Sequence, residues 1–381
     1  MIDRVRIYKE NFNIQEEYLI LHKWKKKIVE SSNNTKYTKN LRNIRLEYYL
    51  ESKRLIIDGR LINLYKSNMD RVTNFDDLIL EGIKFKEIVE EISNKILVYT
   101  SNLTHANDFF NTYIKPTLSD SKHPNSILNF NVTYVEFCFN IKVESQKQVE
   151  NYIILFNLIA LDKGDKRYLN YVLKNDCKLD SGCYIKSKNE YSDNKKHRTT
   201  INFYNKLSQL KNRINTPREY DIYINKTDFE KAENILRLES QVGCKFLYES
   251  RKATGMTKEL FNVFDINFAY ETVKQKFEYF IGSSELDFYS IKEAKNKINN
   301  DTILNLTDRQ KANLIEYVDL VYNYQQEQYK SLTKIEYNRS RKYQEKLIKL
   351  GVHSLFIPEE FGISYLINPI KLLKKKCLPI L

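Results

Sequence analysis

The stretch NVTYVEFCFNIK, residues 131–142, decides the fold of this chain. Polar and apolar residues alternate along it, and this alternation predicts a strand because successive side chains of a strand point to opposite faces of a sheet. Glu136 falls on the polar face, between Tyr134 and Cys138. The helical run QKQVENYIILFNLIAL at 146–161 follows and completes a strand–helix unit. The residues predicted to enter the core from the strand are Val135, Phe137, Phe139 and Ile141.

A second strand with a charged face is predicted at 234–242, NILRLESQV. Its leucine side chains and Val242 alternate toward the core, and Arg237 and Glu239 share the opposite face. This strand therefore has the same design as 131–142, with a carboxylate on its polar side.

The stretch KHRTTINFYNK at 196–206 begins with basic residues and then alternates in the same way. Ile201 and Phe203 are predicted to pack in the core, which leaves Tyr204 and Lys206 on the other face. If the three strands are neighbours in one sheet, two carboxylates, an arginine, a lysine and a tyrosine meet on one surface. A second interpretation stays open, because antiparallel sheets often keep one solvated polar face and these residues would then form surface ion pairs.

The remaining pattern predicts an α+β fold. After about residue 250 the strand signal fades and helical spacing dominates, up to the basic run KLLKKK at 371–376. We therefore expect an antiparallel-sheet domain over 1–250, with helices on one face of the sheet, and a mainly helical domain over 251–381. The other predicted elements are a strand over the first ten residues, a hairpin over 54–65 with its turn at Asp58-Gly59, a helix over 76–96, a loop over 115–126, and a hairpin that joins 182–188 to 198–206.

The composition favours a polyanionic partner. The 381 residues include 62 lysines and arginines against 49 acidic residues, a formal net charge of +13, which suits nucleic acid first and an anionic membrane second. The 28 tyrosines and 20 phenylalanines suit base stacking as well as a core. Five cysteines without a C-x-x-C pair argue for a reducing compartment. The longest apolar run, near 152–161, is too short to cross a bilayer, so we expect a soluble intracellular protein without a membrane partner.

The polar residues of the three strands form a set that suits phosphodiester chemistry. Carboxylate oxygens of Glu136 and Glu239 are suitable ligands for Mg²⁺ or Mn²⁺, which would polarise a scissile phosphate. A phenol such as Tyr204 has an ordinary pKa of about 10, so it needs a cation or a base to attack at neutral pH. Lys206 would stabilise the phenolate or the leaving oxygen. The products would be a 5′-phosphotyrosyl link and a free 3′-hydroxyl.

Four stretches resemble the gene II/X family of phage and plasmid replication proteins, the rolling-circle initiators of filamentous phages and related plasmids. They are MIDRVRIY at the start, VTYVEFCFNIK, KHRTTINFYNK and NILRLESQVGCKFLYESRKATGMTKELFNVFD. The stretch SRKYQEKLIKLGVHSLFIPEEFG at 340–362 is similar to the family's C-terminal region. The resemblance thus extends over most of the chain, with its motifs in the family's order.

The resemblance implies a nicking-endonuclease-like fold and a site-specific, metal-dependent DNA nickase that joins itself to the 5′ end and later rejoins the strand. It implies Tyr204 as the nucleophile, Lys206 as its helper, and Glu136 and Glu239 as ligands of Mg²⁺ or Mn²⁺. The expected partners are origin DNA, single-stranded at the nick, and a host helicase or polymerase, in the cytoplasm of a bacterial host cell. The residues expected to contact DNA are Lys196, His197, Arg198 and Arg237.

The chain departs from the family pattern at its metal ligands. Many rolling-circle initiators use a His-hydrophobic-His motif, and the five histidines here include no such pair. The metal would then be held chiefly by carboxylates, or His197 would contribute a single imidazole. Glu136 stands where the family usually has Asp. Asp3 matches the family's opening, but alternation places it with Val5 and Ile7 on the apolar face, so it ranks third among the candidate ligands.

Two sets of alternatives remain open from the sequence. Tyr184, Tyr191 and Tyr248 are rival nucleophiles, although neither Tyr191 nor Tyr248 has a lysine two residues later on the same face. A relaxase for plasmid mobilisation would use the same chemistry at a different origin. A catalytically inert DNA-binding regulator of the same fold would bind DNA without forming a covalent adduct.

Overall fold

The structure is a computed structural model that describes residues 2–30, 33–41, 44–65, 78, 81, 83–100, 126–162, 182–186, 199–215, 226–331 and 340–377. These residues form a nine-stranded sheet, a three-stranded sheet and eleven α-helices. The α+β class with a large antiparallel sheet is therefore confirmed. The more specific nicking-endonuclease-like arrangement and the division at residue 250 stay predictions.

The strands of the large sheet are β1 (Ile2–Lys9), β2 (Lys25–Val29), β3 (Asn34–Leu41), β4 (Ile44–Tyr49), β5 (Arg54–Gly59), β6 (Asn131–Lys142), β7 (Gly182–Lys186), β8 (Thr199–Asn205) and β9 (Ile235–Gly243). Their order in the sheet is β2-β3-β4-β5-β1-β6-β9-β8-β7, and every neighbouring pair is antiparallel. The three strands that the sequence predicts to carry polar residues, β6, β9 and β8, are direct neighbours.

The helices lie between and after these strands. A small sheet in the C-terminal part has β10 (Phe288–Ser290) between β11 (Phe356–Ile357) and β12 (Tyr365–Leu366). The helices are α1 (Glu16–Leu21), α2 (Phe85–Thr100), α3 (Gln146–Asp162), α4 (Lys206–Asn215), α5 (Lys226–Ala232), α6 (Cys244–Thr254), α7 (Ile266–Phe280), α8 (Ile291–Asn299), α9 (Asp308–Ser331), α10 (Arg341–Lys349) and α11 (Pro369–Cys377). In the part of the chain that the structure describes, no helix combines the length and the apolar character that a bilayer span requires.

The main core lies against the apolar face of β6, β9 and β8. Phe156 of α3 packs on Phe203 of β8 with ring centroids 4.3 Å apart, and Phe277 of α7 meets the edge of the Phe156 ring at 5.9 Å. Side chains from β10 and α11 belong to the same buried cluster, so the C-terminal helices share this core with the sheet. Helices α8, α9 and α10 form a second apolar cluster of their own.

The predicted hairpin at Asp58-Gly59 is wrong. Both residues belong to β5, and Asp58 pairs with Arg6 on β1 and with Arg45 on β4. A strand with neighbours on both sides satisfies its backbone groups through the ladder, and Asp58 gains cationic partners there, with Arg4 at 2.8 Å. The chain continues into a short 3₁₀ helix at Leu61–Leu64 instead of a returning strand.

Several elements could not be predicted from the pattern. The strands β2, β3 and β4 were not predicted. In β2 every position is exposed or half-buried, so this strand lacks the hydrophobic alternation that would mark it in the sequence. The strands of the small sheet have only two or three residues, too few to show a period. Helix α2 begins at Phe85 in the structure, and most of the earlier residues of its predicted range lie outside the described part.

Candidate functional site

Three carboxylates come together where the central strands β1, β6 and β9 run side by side. Asp3, Glu136 and Glu239 each offer one oxygen, and these oxygens all lie within 4.8 Å of one another. The register explains the meeting of the two glutamates, because Glu136 pairs with Gln241 and Cys138 pairs with Glu239. Residues directly opposite each other project to the same side of a sheet. We call Asp3, Glu136 and Glu239 the carboxylate cluster.

A β-bulge brings Asp3 into this cluster. Ile2 pairs with Phe137 and Arg4 pairs with Glu136, so two steps along β1 match one step along β6 and Asp3 is the extra residue. A bulge redirects the side chains that follow or precede it. The expectation that simple alternation places Asp3 on the apolar face is therefore wrong, and its side chain joins the polar face.

The guanidinium of Arg237 holds two members of the cluster. It bonds to Asp3, and its Nε donates to Glu239 Oε1 at 2.7 Å. Its third contact is a longer bond of 3.4 Å from an Nη to Asn140 Oδ1. The side chain of Arg237 is 1% exposed, so the expectation that it contacts DNA does not fit the structure. Its position instead fixes the carboxylates relative to one another.

The hydroxyl of Tyr204 donates a hydrogen bond to Glu239 Oε1. The register accounts for this contact, since Tyr204 pairs with Arg237 and Asn202 pairs with Glu239 across β8 and β9. A phenol donating to a carboxylate is the geometry that a general base requires to accept the proton. The nucleophile candidate and a metal-ligand candidate are thus in direct contact.

The polar face is buried at this site. Tyr204, Glu136 and Glu239 are 4%, 8% and 6% exposed, so the interpretation of these residues as a solvated set of surface ion pairs is wrong. Helix α4 contacts β8 and β9, and the apolar residues of α4 and α5 form a small cluster separate from the main core. Alternation correctly assigned the face but carries no information on what covers it.

Burial and neighbouring charges give the carboxylates opposite properties. Burial, together with the charges of Glu239 and Asp3, raises the pKa of Glu136 well above its ordinary value. Burial alone would also raise the pKa of Asp3, but Arg237 and Arg60 outweigh it and hold that pKa well below the ordinary range. The cluster therefore holds one carboxylate that resists ionisation beside one that ionises readily.

Glu136 also has two hydrogen-bond partners that the sequence pattern did not predict. Its Oε2 accepts from the Tyr134 hydroxyl at 2.9 Å and from Gln241 Nε2 at 3.0 Å. Gln241 continues the alternation of Arg237 and Glu239 along β9, so the signal for it was present in the sequence.

Lys206 has a different place from the one predicted. The strand β8 ends at Asn205, and Lys206 opens α4 instead of sharing the strand face of Tyr204. Its Nζ donates to Gln209 Oε1 at 2.9 Å, a contact one helical turn away. Its charge still acts on the site. Burial raises the pKa of Asp3, and Lys206 helps Arg237 and Arg60 to lower it, with a smaller effect than either arginine.

The rival tyrosines differ in their access to the site. Tyr184 pairs with Asn202, so it lies on the same face as Tyr204, and it is 39% exposed. Its ring leans over Gly182, where a Cβ would lie 3.2 Å from the Tyr184 ring and 3.4 Å from the Tyr204 Cβ. Tyr248 is exposed on α6. Tyr191, Lys196, His197 and Arg198 lie outside the described residues, so their expected roles stay predictions.

The donor set fits a hard divalent cation. Mg²⁺ and Mn²⁺ prefer carboxylate oxygens, and the cluster supplies three of them from three adjacent strands. The buried Thr200 Oγ1 on the same face has no hydrogen-bond partner among the described residues, and a buried polar atom without a partner is costly. Asp3, Glu136 and Glu239 would hold the ion, while Arg237 competes with it for two of them.

Comparisons of the chain with protein-family models, with curated proteins and with solved structures find no match. The features of the described residues that point to a function are therefore the carboxylate cluster and its contact with Tyr204.

Proposed function

We propose that this protein is a DNA nicking and rejoining enzyme that initiates rolling-circle replication and uses a tyrosine nucleophile and a divalent metal. The observation that carries the proposal is the hydrogen bond from Tyr204 to Glu239, a member of a three-carboxylate cluster. A surface for structural ion pairs alone needs no phenol at this point. Origin DNA is the substrate that the motif resemblance suggests.

The contacts of the site support a specific order of events. Glu239 accepts the phenolic proton as the Tyr204 oxygen attacks the phosphorus, and the bond from phosphorus to the 3′-oxygen breaks. The 3′-oxygen takes a proton from water, and the reverse reaction rejoins the strand. Mg²⁺ or Mn²⁺ bound to the cluster would supply charge neutralisation at the phosphate. Arg237 keeps Asp3 and Glu239 in place during these steps.

A second candidate, a catalytically inert DNA-binding protein of the same fold, is favoured by two observations. Arg237 already bridges Asp3 and Glu239, and burial raises the pKa of Tyr204 well above its ordinary value. Such a network is satisfied without a substrate. Catalysis by Tyr204 requires that DNA or metal binding exposes its buried hydroxyl to a phosphate, whereas the inert protein never forms an adduct.

The deciding experiment looks for the covalent adduct. The full chain is incubated with Mn²⁺ and a pool of random single-stranded oligonucleotides labelled at the 3′ end, because the 5′-phosphotyrosyl link leaves the 3′ fragment on the protein. We expect a labelled protein band on a denaturing gel, abolished in Tyr204→Phe and retained in the matched variant Tyr184→Phe. If the band is lost in Tyr184→Phe and retained in Tyr204→Phe, the nucleophile is Tyr184 instead of Tyr204. No band in the wild type, with oligonucleotide binding intact, supports the inert protein.

Metal binding gives a readout that does not depend on activity. A ligand that binds only the folded state raises stability by an amount that grows with its concentration, about 2.7 kcal/mol at a hundred times its dissociation constant. We expect Mn²⁺ to raise the melting temperature of the wild type and to leave that of Glu136→Gln unchanged. The control is Glu47→Gln, which removes a carboxylate outside the cluster. An equal response in all three proteins would place the metal elsewhere.

A further inference from the structure

The face of the sheet that carries the carboxylate cluster continues across β1, β5, β4, β3 and β2, where it is basic. The register connects the two parts, since Glu136 pairs with Arg4, Arg6 pairs with Asp58, and Asp58 pairs with Arg45. The same pairing extends through β3 to β2. We call the cations on this face the basic track; they are Arg4, Arg6, Lys25, Lys27, Lys36, Arg45 and Arg54.

The basic track has an excess of positive charge. Apart from Asp3 of the carboxylate cluster, β1 to β5 contribute only Glu47 and Asp58 as carboxylates to this face. Glu47 is shared by three cations, with Arg45 Nε at 2.8 Å, and Asp58 is bound by Arg4 at 2.8 Å. Seven cations therefore face two carboxylates. The side chains of Arg4 and Arg45 are 47% and 55% exposed, and Lys25 and Lys27 are exposed as well.

Tyrosine rings lie among these cations. The guanidinium of Arg54 is 4.1 Å from the centre of the Tyr8 ring, and Lys36 Nζ is 5.3 Å from the centre of the Tyr49 ring. Tyr8 and Tyr49 are half-buried, so part of each side chain is accessible. Cations interleaved with aromatic rings are the usual combination for single-stranded nucleic acid, because cations meet phosphates and rings stack on bases.

We propose that the basic track binds single-stranded DNA and leads it toward the carboxylate cluster. This inference rests on the proposed function for the choice of DNA over RNA. The track extends over five strands, or ~19 Å at the usual spacing of strands. A single strand fits better than a duplex, because reading a duplex requires an element that enters a groove, and the cations of the basic track all lie on five adjacent strands of one sheet.

The test measures binding without metal, so that cleavage does not interfere. Fluorescence anisotropy of a labelled oligothymidine strand in EDTA is compared for the wild type, for Lys27→Gln/Arg45→Gln, and for the matched control Lys26→Gln/Arg341→Gln. The control loses the same charge, from the opposite face of β2 and from an exposed position on α10. We expect about tenfold weaker binding by the track variant, and a salt slope lower by about 1.4, because each lost phosphate contact removes about 0.7. The control should bind as the wild type does.

The outcomes separate this inference from the proposed function. A track variant that binds like its control overturns the track, and the adduct assay remains a valid test of catalysis. Weakened binding by the track variant supports the track even where the wild type forms no adduct. Tighter binding of the wild type to a duplex of the same length than to the single strand overturns the assignment of the ligand. The same conclusion follows if the track variant loses binding to anionic lipid vesicles but binds the oligonucleotide as well as the wild type does.

Discussion

Glu136 is the member of the carboxylate cluster whose ionisation destabilises the folded protein. Burial and the nearby carboxylates raise its pKa well above the ordinary value near 4.5. Below that ordinary value both the folded and the unfolded chain are protonated at this position, so Glu136 costs nothing. As pH rises above it, the unfolded chain ionises first, and the stability of the folded protein falls until the folded pKa is reached.

We predict that Glu136→Gln removes this pH dependence. Glutamine has the shape of a protonated glutamate and keeps an acceptor for Tyr134 and Gln241. Urea unfolding of the wild type should show a free energy of unfolding that falls as pH rises from 5 to 8. The fall should be about 1.4 kcal/mol for each unit by which the pKa of Glu136 in the folded protein exceeds its pKa in the unfolded chain. The variant should be flatter over this range and more stable at pH 8.

Asp3 provides the opposite control for this experiment. Its pKa is held down by Arg237 and Arg60 against the effect of burial, so its contribution is present above pH 3.8 and is lost as pH falls further. Asp3→Asn should therefore lower stability at pH 8 instead of raising it. A stability of Glu136→Gln that falls with pH as steeply as the wild type would show that Glu136 is already ionised in the folded protein.

The elements differ in how far their sequences predict them. Strand β6 has the predicted bounds, because it is flanked on both sides and its alternation is strict. The position of Asp3 depends on a bulge, which arises from the pairing of β1 with β6 and leaves no mark in the sequence of β1 alone. The contact of Tyr204 with Glu239 likewise depends on the pairing of β8 with β9. Local pattern therefore predicts which residues share a strand face, and tertiary pairing decides what that face becomes.

Helix α7 supports the site strands from the core side, and its N-cap is a testable part of that support. The side chain of Asp265 accepts a hydrogen bond from the Phe268 backbone N–H at 3.0 Å. We predict that Asp265→Ala lowers the free energy of unfolding by about 1 kcal/mol, because an orphan donor of the first turn loses its partner. Asp265→Asn keeps an acceptor and should stay within a few tenths of the wild-type value. Urea denaturation measures both, and equal losses in the two variants would mean that the charge at this position, not the cap, is what stabilises the helix.

The whole molecule is held together by a core that crosses the predicted domain boundary. The ring of Phe277 on α7 makes edge-to-face contacts with the rings of Phe156 and Phe203. The ring centroids of Phe288 on β10 and Phe156 are 5.9 Å apart. Leu373 of α11 belongs to the same buried cluster. The residues before 250 therefore rely on later residues to cover the apolar face of β6, β9 and β8. Composition and helical spacing indicated the change at residue 250 but not this dependence.

We predict that a fragment of residues 1–250 does not fold cooperatively. Removal of α7, β10 and α11 exposes aromatic side chains that are fully buried in the intact chain, and large exposed apolar patches lead to aggregation or to a loosely packed state. The fragment should elute in the void volume or bind a hydrophobic dye strongly, and its near-ultraviolet circular dichroism should be weak beside that of the full chain. A monomeric fragment with a single sharp urea transition would show that the sheet forms an independent domain. In that case the C-terminal helices would pack on a finished surface, and the division at residue 250 would stand as a domain boundary.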